Sequence, residues 1–319
     1  MQSLVRYTAP AAVTPGTIDA AFAEFLRLDV ASGDASPDTI RGYRAQVAAW
    51  ATWCYEGTIN PAQASIADVK AYRQDLVQAG YKPASISHKL VVIRRFYDAA
   101  VNAGLRADNP AAGVKPPKEH RAIEDFGYFS EGELMLIFRA VPKTGEPKEL
   151  RDRAILGLLG LQGLRTVEIQ RASADDLQDR GDNTALVVRG KGHDRLVYLR
   201  PDVAGAIRDY LTARGEVKAD ADGIPLFAAV GNFAGGNRLS RRGIRGIVDY
   251  YLKKADVKRP GLSDHALRHT AATLSYAYTH DLRAVQDMLG HRNPTTTARY
   301  ARVVDMARSN PSLTIPVAL

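Results

Sequence analysis

Three stretches in the C-terminal part of the chain decide its interpretation: HALRHT at residues 265–270, LGH at 289–291 and TTTARY at 295–300. In the first stretch His265 and Arg268 are three residues apart, so a helix places both on one face. Taken alone, a histidine or an arginine in a helix is usually structural or solvated. His291 and Tyr300 follow downstream, however, and the order of these residues favours a shared functional site.

Two upstream stretches complete the pattern. GLRTVE at residues 163–168 contains an arginine, and Gly190-Lys191-Gly192 joins two β-prone runs, 185–189 and 196–199, in a predicted hairpin. In this order the sequence resembles the tyrosine recombinase, or phage integrase, family, whose catalytic set is an arginine, a hairpin lysine, His-x-x-Arg, a histidine and a tyrosine. The resemblance implies six catalytic residues here: Arg165, Lys191, His265, Arg268, His291 and Tyr300.

The resemblance also implies a reaction in which Tyr300 attacks a DNA phosphate, forming a 3′-phosphotyrosyl bond and a free 5′-hydroxyl. The guanidinium groups of Arg165 and Arg268 suit the charge that develops on the phosphate oxygens, and we expect them to lower the pKa of the tyrosine. We expect His265 to accept or orient the tyrosine proton, and His291 to donate a hydrogen bond to the phosphate.

Two further residues are expected to assist this reaction. Lys191 resembles the family's general acid, which protonates the departing 5′ oxygen. Glu168, one turn beyond Arg165, matches an acidic position that orients the basic groups without reacting itself. The covalent intermediate conserves the energy of the ester, so rejoining needs no ATP. Neither a cofactor nor a metal ion is therefore expected.

The charge of the chain favours a polyanionic partner. Its 319 residues include 43 lysines and arginines against 35 acidic residues, a net charge of +8. Residues up to Pro110 contain 11 basic and 10 acidic side chains, so the excess lies in the remainder, notably between Arg238 and Arg259. Because basic side chains gain free energy by releasing counterions from nucleic acid, DNA or RNA is the first candidate partner.

The resemblance specifies this partner and the assembly further. It implies double-stranded DNA with inverted-repeat core sites, a homotetramer on that DNA, a Holliday junction, and accessory proteins as further partners. The lysine hairpin is shorter than in Xer-type members, Tyr198 replaces a common proline, and Ala301-Arg302 replaces a common Thr-His pair. These departures favour a mobile-element recombinase over Xer-type dimer resolution, and the segment before Thr17 is too short for an arm-binding domain.

The sequence predicts a mainly α-helical fold with a small β-sheet, an α+β class. We expect a tail at 1–16, a four-helix, SAM-like core-binding bundle at 17–108, a linker at 109–128, and the catalytic domain with its C-terminal tail at 129–319. Proline and glycine punctuate the helices. The predicted helices are 17–30, from Ser36-Pro37, 65–80, 83–104, 130–140, 150–161, from Thr166, 264–278, 281–289 and 295–309.

Other features limit the location and suggest DNA contacts. One cysteine, Cys54, and an N-terminus without an apolar signal stretch favour the cytoplasm, and no apolar run reaches the roughly 20 residues of a membrane span. Nine basic residues are candidate DNA contacts, although solvated charge explains each of them nearly as well: Arg41, Arg44, Lys89, Arg94, Arg95, Arg238, Arg241, Arg242 and Arg245.

Several other functions fit the sequence less well. Gly190-Lys191 lacks the flanking residues of a phosphate-binding Walker loop. His265 and His269 have the spacing of a metal clamp, but the glutamate of the zinc-protease pattern is missing; a metal-dependent nuclease built on them would lose activity in chelator. A type IB topoisomerase would share the chemistry but act as a monomer. A noncatalytic DNA-binding protein would have no need for all six reactive residues.

Overall fold

A computed structural model describes residues 15–28, 30, 35–118, 126–189, 194–230 and 235–308. The chain divides into two compact units, Met1–Arg121 and Ala122–Leu319. Lys191 and the predicted C-terminal tail after residue 308 lie outside the described residues.

The described residues of the first unit form four α-helices, which confirms the predicted helical bundle. Local capping chemistry sets where they begin. The hydroxyl of Ser36 accepts a hydrogen bond from the backbone of Thr39, and Ser65 forms a reciprocal capping box with Asp68. The helices are α1 (Pro15–Leu28), α2 (Pro37–Glu56), α3 (Ile66–Gln78) and α4 (Pro83–Asn102).

An aromatic centre holds this unit together. Trp50 and Tyr97 are fully buried, and the Trp50 indole Nε1 donates to the Tyr97 hydroxyl at 3.0 Å. That hydroxyl donates in turn to the carbonyl of Pro61 at 2.7 Å. Cys54 is also buried. The hydrogen-bonded chain ties α2 and α4 to the short 3-10 turn at Pro61–Gln63.

Part of the predicted linker packs against the first unit. Arg94 donates to the carbonyls of Ala111 at 3.3 Å and Val114 at 3.2 Å, and the Asn109 side chain donates to the carbonyl of Arg94 at 2.9 Å. Ala111 and Val114 are buried among the helices. Proline and glycine exclude a helix from this segment, but side-chain hydrogen bonds satisfy its backbone and allow it to reach the core.

The second unit is mostly helical, with one antiparallel sheet of strand order β1-β2-β3. Val188 pairs with Arg195 at the end of the β2–β3 ladder nearest the predicted lysine turn. The sequence predicts this hairpin but not β1, whose LQDR sequence has little β propensity. The elements are α5 (Glu131–Ala140), α6 (Pro147–Gly160), α7 (Thr166–Arg171), β1 (Leu177–Arg180), β2 (Asn183–Val188), β3 (Arg195–Tyr198), α8 (Pro201–Ala213), α9 (Arg241–Lys254), α10 (Asp264–Thr279), α11 (Leu282–Leu289) and α12 (Pro294–Arg308).

Two hydrophobic clusters fill the second unit. The larger surrounds α6, whose residues from Ala154 to Gly160 are all buried. The smaller lies between α10, α11 and α12 and contains Phe126, Val285 and Tyr300. The predicted last three helices are thus confirmed, and their packing places the candidate nucleophile inside the protein. Among the helices of the described residues, none is long and apolar enough to cross a membrane.

We expect Tyr97→Phe to lower the free energy of unfolding by about 1–3 kcal/mol, because it leaves two buried partners, the Trp50 indole N–H and the Pro61 carbonyl, without their hydrogen bonds. Tyr55→Phe is the matched control, since Tyr55 is 56% exposed on α2. Equilibrium denaturation measures both variants. Equal stability of the two variants would contradict the role given to the aromatic centre.

Candidate active site

The structure brings four of the six predicted catalytic residues together. Arg165 lies at the N-cap of α7, Arg268 on α10, His291 between α11 and α12, and Tyr300 on α12. His265 lies on the exposed side of α10, with a side chain that is 64% exposed. The position of Lys191 is outside the described residues.

Arg268 occupies the centre of the site and is only 5% exposed. Its Nη1 donates to the carbonyl of Gly163, and its Nη2 donates to the carbonyl of Leu289 at 2.9 Å and to His291 Nε2 at 3.0 Å. Burial, reinforced by the charge of Arg165, lowers the pKa of Arg268 to about 10. The guanidinium group therefore remains charged at neutral pH, which is what a phosphate-binding residue requires.

Glu168 accepts two hydrogen bonds from Arg165. Its Oε1 accepts from Arg165 Nη1 at 2.8 Å, and its Oε2 accepts from the Arg165 backbone N–H at 2.7 Å. Oε2 also accepts from Arg195 Nη2 at 3.1 Å. Burial alone would raise the pKa of this carboxyl, but the charges of Arg195 and Arg165 hold it below its ordinary value. Glu168 is consequently ionised and shared between two guanidinium groups.

His291 has both ring nitrogens engaged. Because Arg268 can only donate, His291 Nε2 accepts that hydrogen bond and Nδ1 carries the proton, 2.9 Å from the hydroxyl of Thr297. Burial and the charge of Arg268 lower the pKa of His291 to about 4. The imidazole is therefore neutral at pH 7, and its predicted donation to a phosphate requires Nε2 both to leave Arg268 and to gain a proton.

Tyr300 is 1% exposed and packs edge-on against Phe126, with ring centroids 5.1 Å apart. Its hydroxyl is hydrogen-bonded to His269 Nδ1 at 2.9 Å. Burial raises the pKa of Tyr300 and outweighs the opposing charges of Arg268 and Arg299. The arginines lower this pKa, as expected, but the net shift is upward because desolvation of the phenolate exceeds its attraction to the guanidinium groups.

His269, not His265, is therefore the histidine that contacts the candidate nucleophile. Burial, with the charge of Arg299, lowers the pKa of His269 to about 4, so its ring is neutral at pH 7. The sequence offered a signal: His269 is next to Arg268 on α10, and we considered it only as half of a metal clamp with His265. In the described part of the chain, no group of three or more metal-ligating side chains occurs.

The buried carboxylate of Asp264 connects the start of α10 to α7. Asp264 Oδ2 accepts a hydrogen bond from the Thr166 hydroxyl and lies 3.5 Å from His265 Nδ1 and 3.7 Å from Arg245 Nε. Burial raises the pKa of Asp264, but its hydrogen bonds to His265 and Thr166 more than offset this and hold the pKa well below its ordinary value. The contact fixes the start of α10 against α7.

The candidate DNA contacts fall into two groups. Arg94 and Arg238 are held by hydrogen bonds inside the protein, and the Arg238 side chain is 8% exposed against Asp220. These two side chains support the fold rather than a surface. Arg242 and Arg245 border an open hollow of about 370 Å³ beside Asp264. The other five candidates are exposed or half-buried: Arg41, Arg44, Lys89, Arg95 and Arg241. Of these, Arg41 forms an ion pair with Asp38, and Lys89 donates a hydrogen bond to Gln46.

Comparisons with known proteins agree with this geometry. The profile described as the phage integrase family matches residues 128–306, and that of the phage integrase N-terminal SAM-like domain matches residues 21–104. Tyrosine recombinase XerC of Pelobacter propionicus is 31% identical over 270 residues, covering 84% of this chain and 85% of that protein. Tyrosine recombinase XerD of Xanthomonas axonopodis pv. citri is 32% identical over 276 residues, covering 83% and 87%.

Solved structures share the fold at lower identity. XerH recombinase bound to a palindromic difH substrate aligns with a TM-score of 0.66 at 17% identity, covering 79% of this chain and 72% of that one. A lambda integrase tetramer bound to a Holliday junction aligns with a TM-score of 0.66 at 15% identity, covering 91% and 77%. Fold and relatives together define a tyrosine-type site-specific recombinase. The chain belongs to the phage integrase family.

We expect the free energy of unfolding to fall as the pH drops from about 6.5 towards 4. The pKa values of His269 and His291 are lowered to about 4 in the folded chain, whereas unfolded histidine titrates near 6.5. Between these values the unfolded state binds more protons, so stability that is complete above pH 6.5 is progressively lost.

Denaturation at a series of pH values measures this slope. His269→Asn should make it shallower, while His88→Asn, a change at an exposed position on α4, should leave it as in the wild type. If His269→Asn and the wild type lose stability in parallel, the lowered pKa of His269 is not what destabilises the protein in acid.

Proposed function

We propose that this recombinase cleaves and rejoins double-stranded DNA through a covalent link between Tyr300 and a backbone phosphate. The observation that carries this proposal is the hydrogen bond of 2.9 Å between the Tyr300 hydroxyl and a neutral histidine, beside the buried charge of Arg268. The bond from Tyr300 Oη to phosphorus forms while the bond from phosphorus to the 5′ oxygen breaks. The products are a 3′-phosphotyrosyl ester and a 5′-hydroxyl, and attack by another 5′-hydroxyl reverses the step.

In this mechanism His269 accepts the proton of Tyr300. A neutral imidazole with its Nδ1 within hydrogen-bonding distance of the hydroxyl satisfies the geometric requirement for a general base. His265, which we first expected in this role, instead has its Nδ1 near Asp264 and its exposed edge available to DNA. Lys191 remains the predicted general acid for the departing 5′ oxygen.

Arg165 and Arg268 would bind the nonbridging oxygens of the phosphate. Both guanidinium groups are oriented by fixed partners, Glu168 for the first and backbone carbonyls for the second. Preoriented charge of this kind stabilises the five-coordinate transition state without reorganisation. With a phosphate present, His291 would leave Arg268 and carry its proton on Nε2, which would then donate to a phosphate oxygen while Nδ1 accepts from the Thr297 hydroxyl. Because Tyr300 is buried, DNA binding must also displace Phe126 or shift α12.

We further propose that the enzyme acts on inverted-repeat core sites as a homotetramer and passes through a Holliday junction. The shared fold with a lambda integrase tetramer on such a junction supports this. Its role would be the integration, excision or resolution of a mobile element, in keeping with Tyr198 and Ala301-Arg302. Xer-type resolution of chromosome or plasmid dimers is the second candidate, favoured by the XerC and XerD relatives. The two roles differ in the position of the recombination sites: they flank a mobile element in the first role and lie within the chromosome or plasmid dimer in the second.

We expect the wild type to form a trapped covalent complex with a nicked suicide substrate containing its core site, because the released fragment cannot return. Tyr300→Phe should bind the same duplex but form no complex, whereas Tyr278→Phe, at a residue that is 70% exposed, should behave as the wild type. Denaturing gel electrophoresis of labelled DNA detects the complex. Trapping by Tyr300→Phe would refute the assignment of the nucleophile.

We expect His269→Asn to slow formation of the covalent complex by about 100-fold or more, because asparagine can accept the tyrosine hydrogen bond but cannot take its proton. The variant should regain rate as pH rises, when hydroxide replaces the lost base. His265→Asn is the matched comparison on the same helix and should retain more activity. The reverse ranking would return the role of base to His265.

A further inference from the structure

Arg195, the first residue of β3, lies at the junction of three parts of the site. It is not among the residues that the family resemblance assigns, and its side chain is 18% exposed. Its Nη2 donates to Glu168 Oε2 at 3.1 Å. Within the described residues, its Nη1 is buried and has no hydrogen-bond partner. A buried guanidinium nitrogen without a partner destabilises a protein, so its presence at this place calls for a functional explanation.

The guanidinium group also fits closely against Gly290, which ends α11 and precedes His291. A Cβ atom at Gly290 would lie 2.6 Å from Arg195 Nε and 2.8 Å from Nη1. Those distances are shorter than any stable contact, so alanine there would push Arg195 away from Glu168. The backbone that presents His291 thus leaves space for this one side chain.

The charges at the site explain why a third arginine is useful. Glu168 is needed to orient Arg165, yet its negative charge lies beside the place where an anionic phosphate would bind. Arg195 supplies a positive charge to the same carboxylate oxygen that receives the Arg165 backbone N–H. Arg165 and Arg268 can then present their charge to the phosphate, whose own charge increases in the transition state.

We infer that Arg195 is a positioning and charge-compensating residue for DNA cleavage: it neutralises Glu168, so that this carboxylate can hold Arg165 in place without weakening the attraction for the scissile phosphate. Arg195 acts through Glu168 and does not touch DNA. The inference rests on the proposed cleavage reaction and assigns a role within it to a residue outside the six predicted ones.

The first test is a double-mutant cycle on covalent-complex formation with the nicked suicide duplex. Arg195→Gln should slow the wild-type rate by about 10- to 100-fold, as is typical for residues that support a reacting group. Arg195→Lys should be closer to the wild type, because it keeps the charge. Adding Glu168→Gln to Arg195→Gln should raise the rate above that of Arg195→Gln alone, because the uncompensated charge is then gone while the glutamine amide oxygen can still accept the hydrogen bond of Arg165. A double variant that is equal to or slower than Arg195→Gln overturns the inference.

A second measurement changes the substrate charge. A duplex with one methylphosphonate at the scissile position lacks one of the two nonbridging oxygens that carry charge, so electrostatic compensation matters less there. The ratio of the wild-type rate to the Arg195→Gln rate should shrink on this duplex. An unchanged ratio would mean that Arg195 contributes packing alone and would also overturn the inference.

If Arg195→Gln does not fold, two glycine substitutions can test the inference instead. Gly290→Ala and Gly181→Ala introduce the same side chain at similar left-handed backbones, φ of +63° and +60°, but only Gly290 faces Arg195. Cleavage should be impaired by Gly290→Ala beyond the effect of Gly181→Ala, and equal activities count against the inference. If the wild type itself forms no covalent complex, the proposed function fails. If the wild type forms the complex but Glu168→Gln does not raise the rate of Arg195→Gln, only the inference about Arg195 fails.

Discussion

The arrangement of the second unit depends on the burial of one guanidinium group, that of Arg268. Its hydrogen bonds to the carbonyls of Gly163 and Leu289 join two turns that are far apart in the sequence. Each turn contains a glycine with a left-handed backbone, Gly163 in the first and Gly290 in the second. A predicted catalytic residue follows each glycine within two positions: Arg165 after Gly163 and His291 after Gly290. Burying a guanidinium group without hydrogen-bond partners would be costly. The hydrogen bonds that stabilise Arg268 therefore also hold α7, α10 and α11 in one geometry.

The same burial sets the protonation states of the neighbouring groups. Desolvation lowers the pKa of His269 and His291 and raises that of Tyr300, so these three groups are neutral at pH 7. Arg268, whose pKa is about 10, keeps its charge, and together with Arg165 and Arg195 it leaves an excess of positive charge around Glu168. A site that is positive and already desolvated favours an anionic phosphate. The packing of the surrounding helices offsets the unfavourable free energy of holding these charges together in the interior.

Much of this could be predicted from the sequence, and the exceptions share a cause. Helix limits follow from local signals such as the Ser36 cap and Gly290, and the order of reactive residues identifies the family. His269 and Arg195 were missed because their importance comes from contacts between distant elements: one touches a hydroxyl 31 positions away and the other a carboxylate on α7. The lowering effect of the arginines on the pKa of Tyr300 was predicted, but the larger and opposite effect of burial was missed for the same reason, since a list of nearby charges does not reveal how deeply the phenol is buried.

The protonation states also constrain how the reaction can begin. In the proposed cleavage, complete transfer of the tyrosine proton before attack would carry a large free-energy cost, because the pKa of His269 is about 4 and that of Tyr300 is raised above its ordinary value near 10. That cost falls only as the phenol oxygen forms its bond to phosphorus and becomes more acidic. In the proposed reaction, proton transfer and attack would therefore be coupled, and the buried tyrosine would be a poor nucleophile towards anything other than a phosphate held by Arg165 and Arg268.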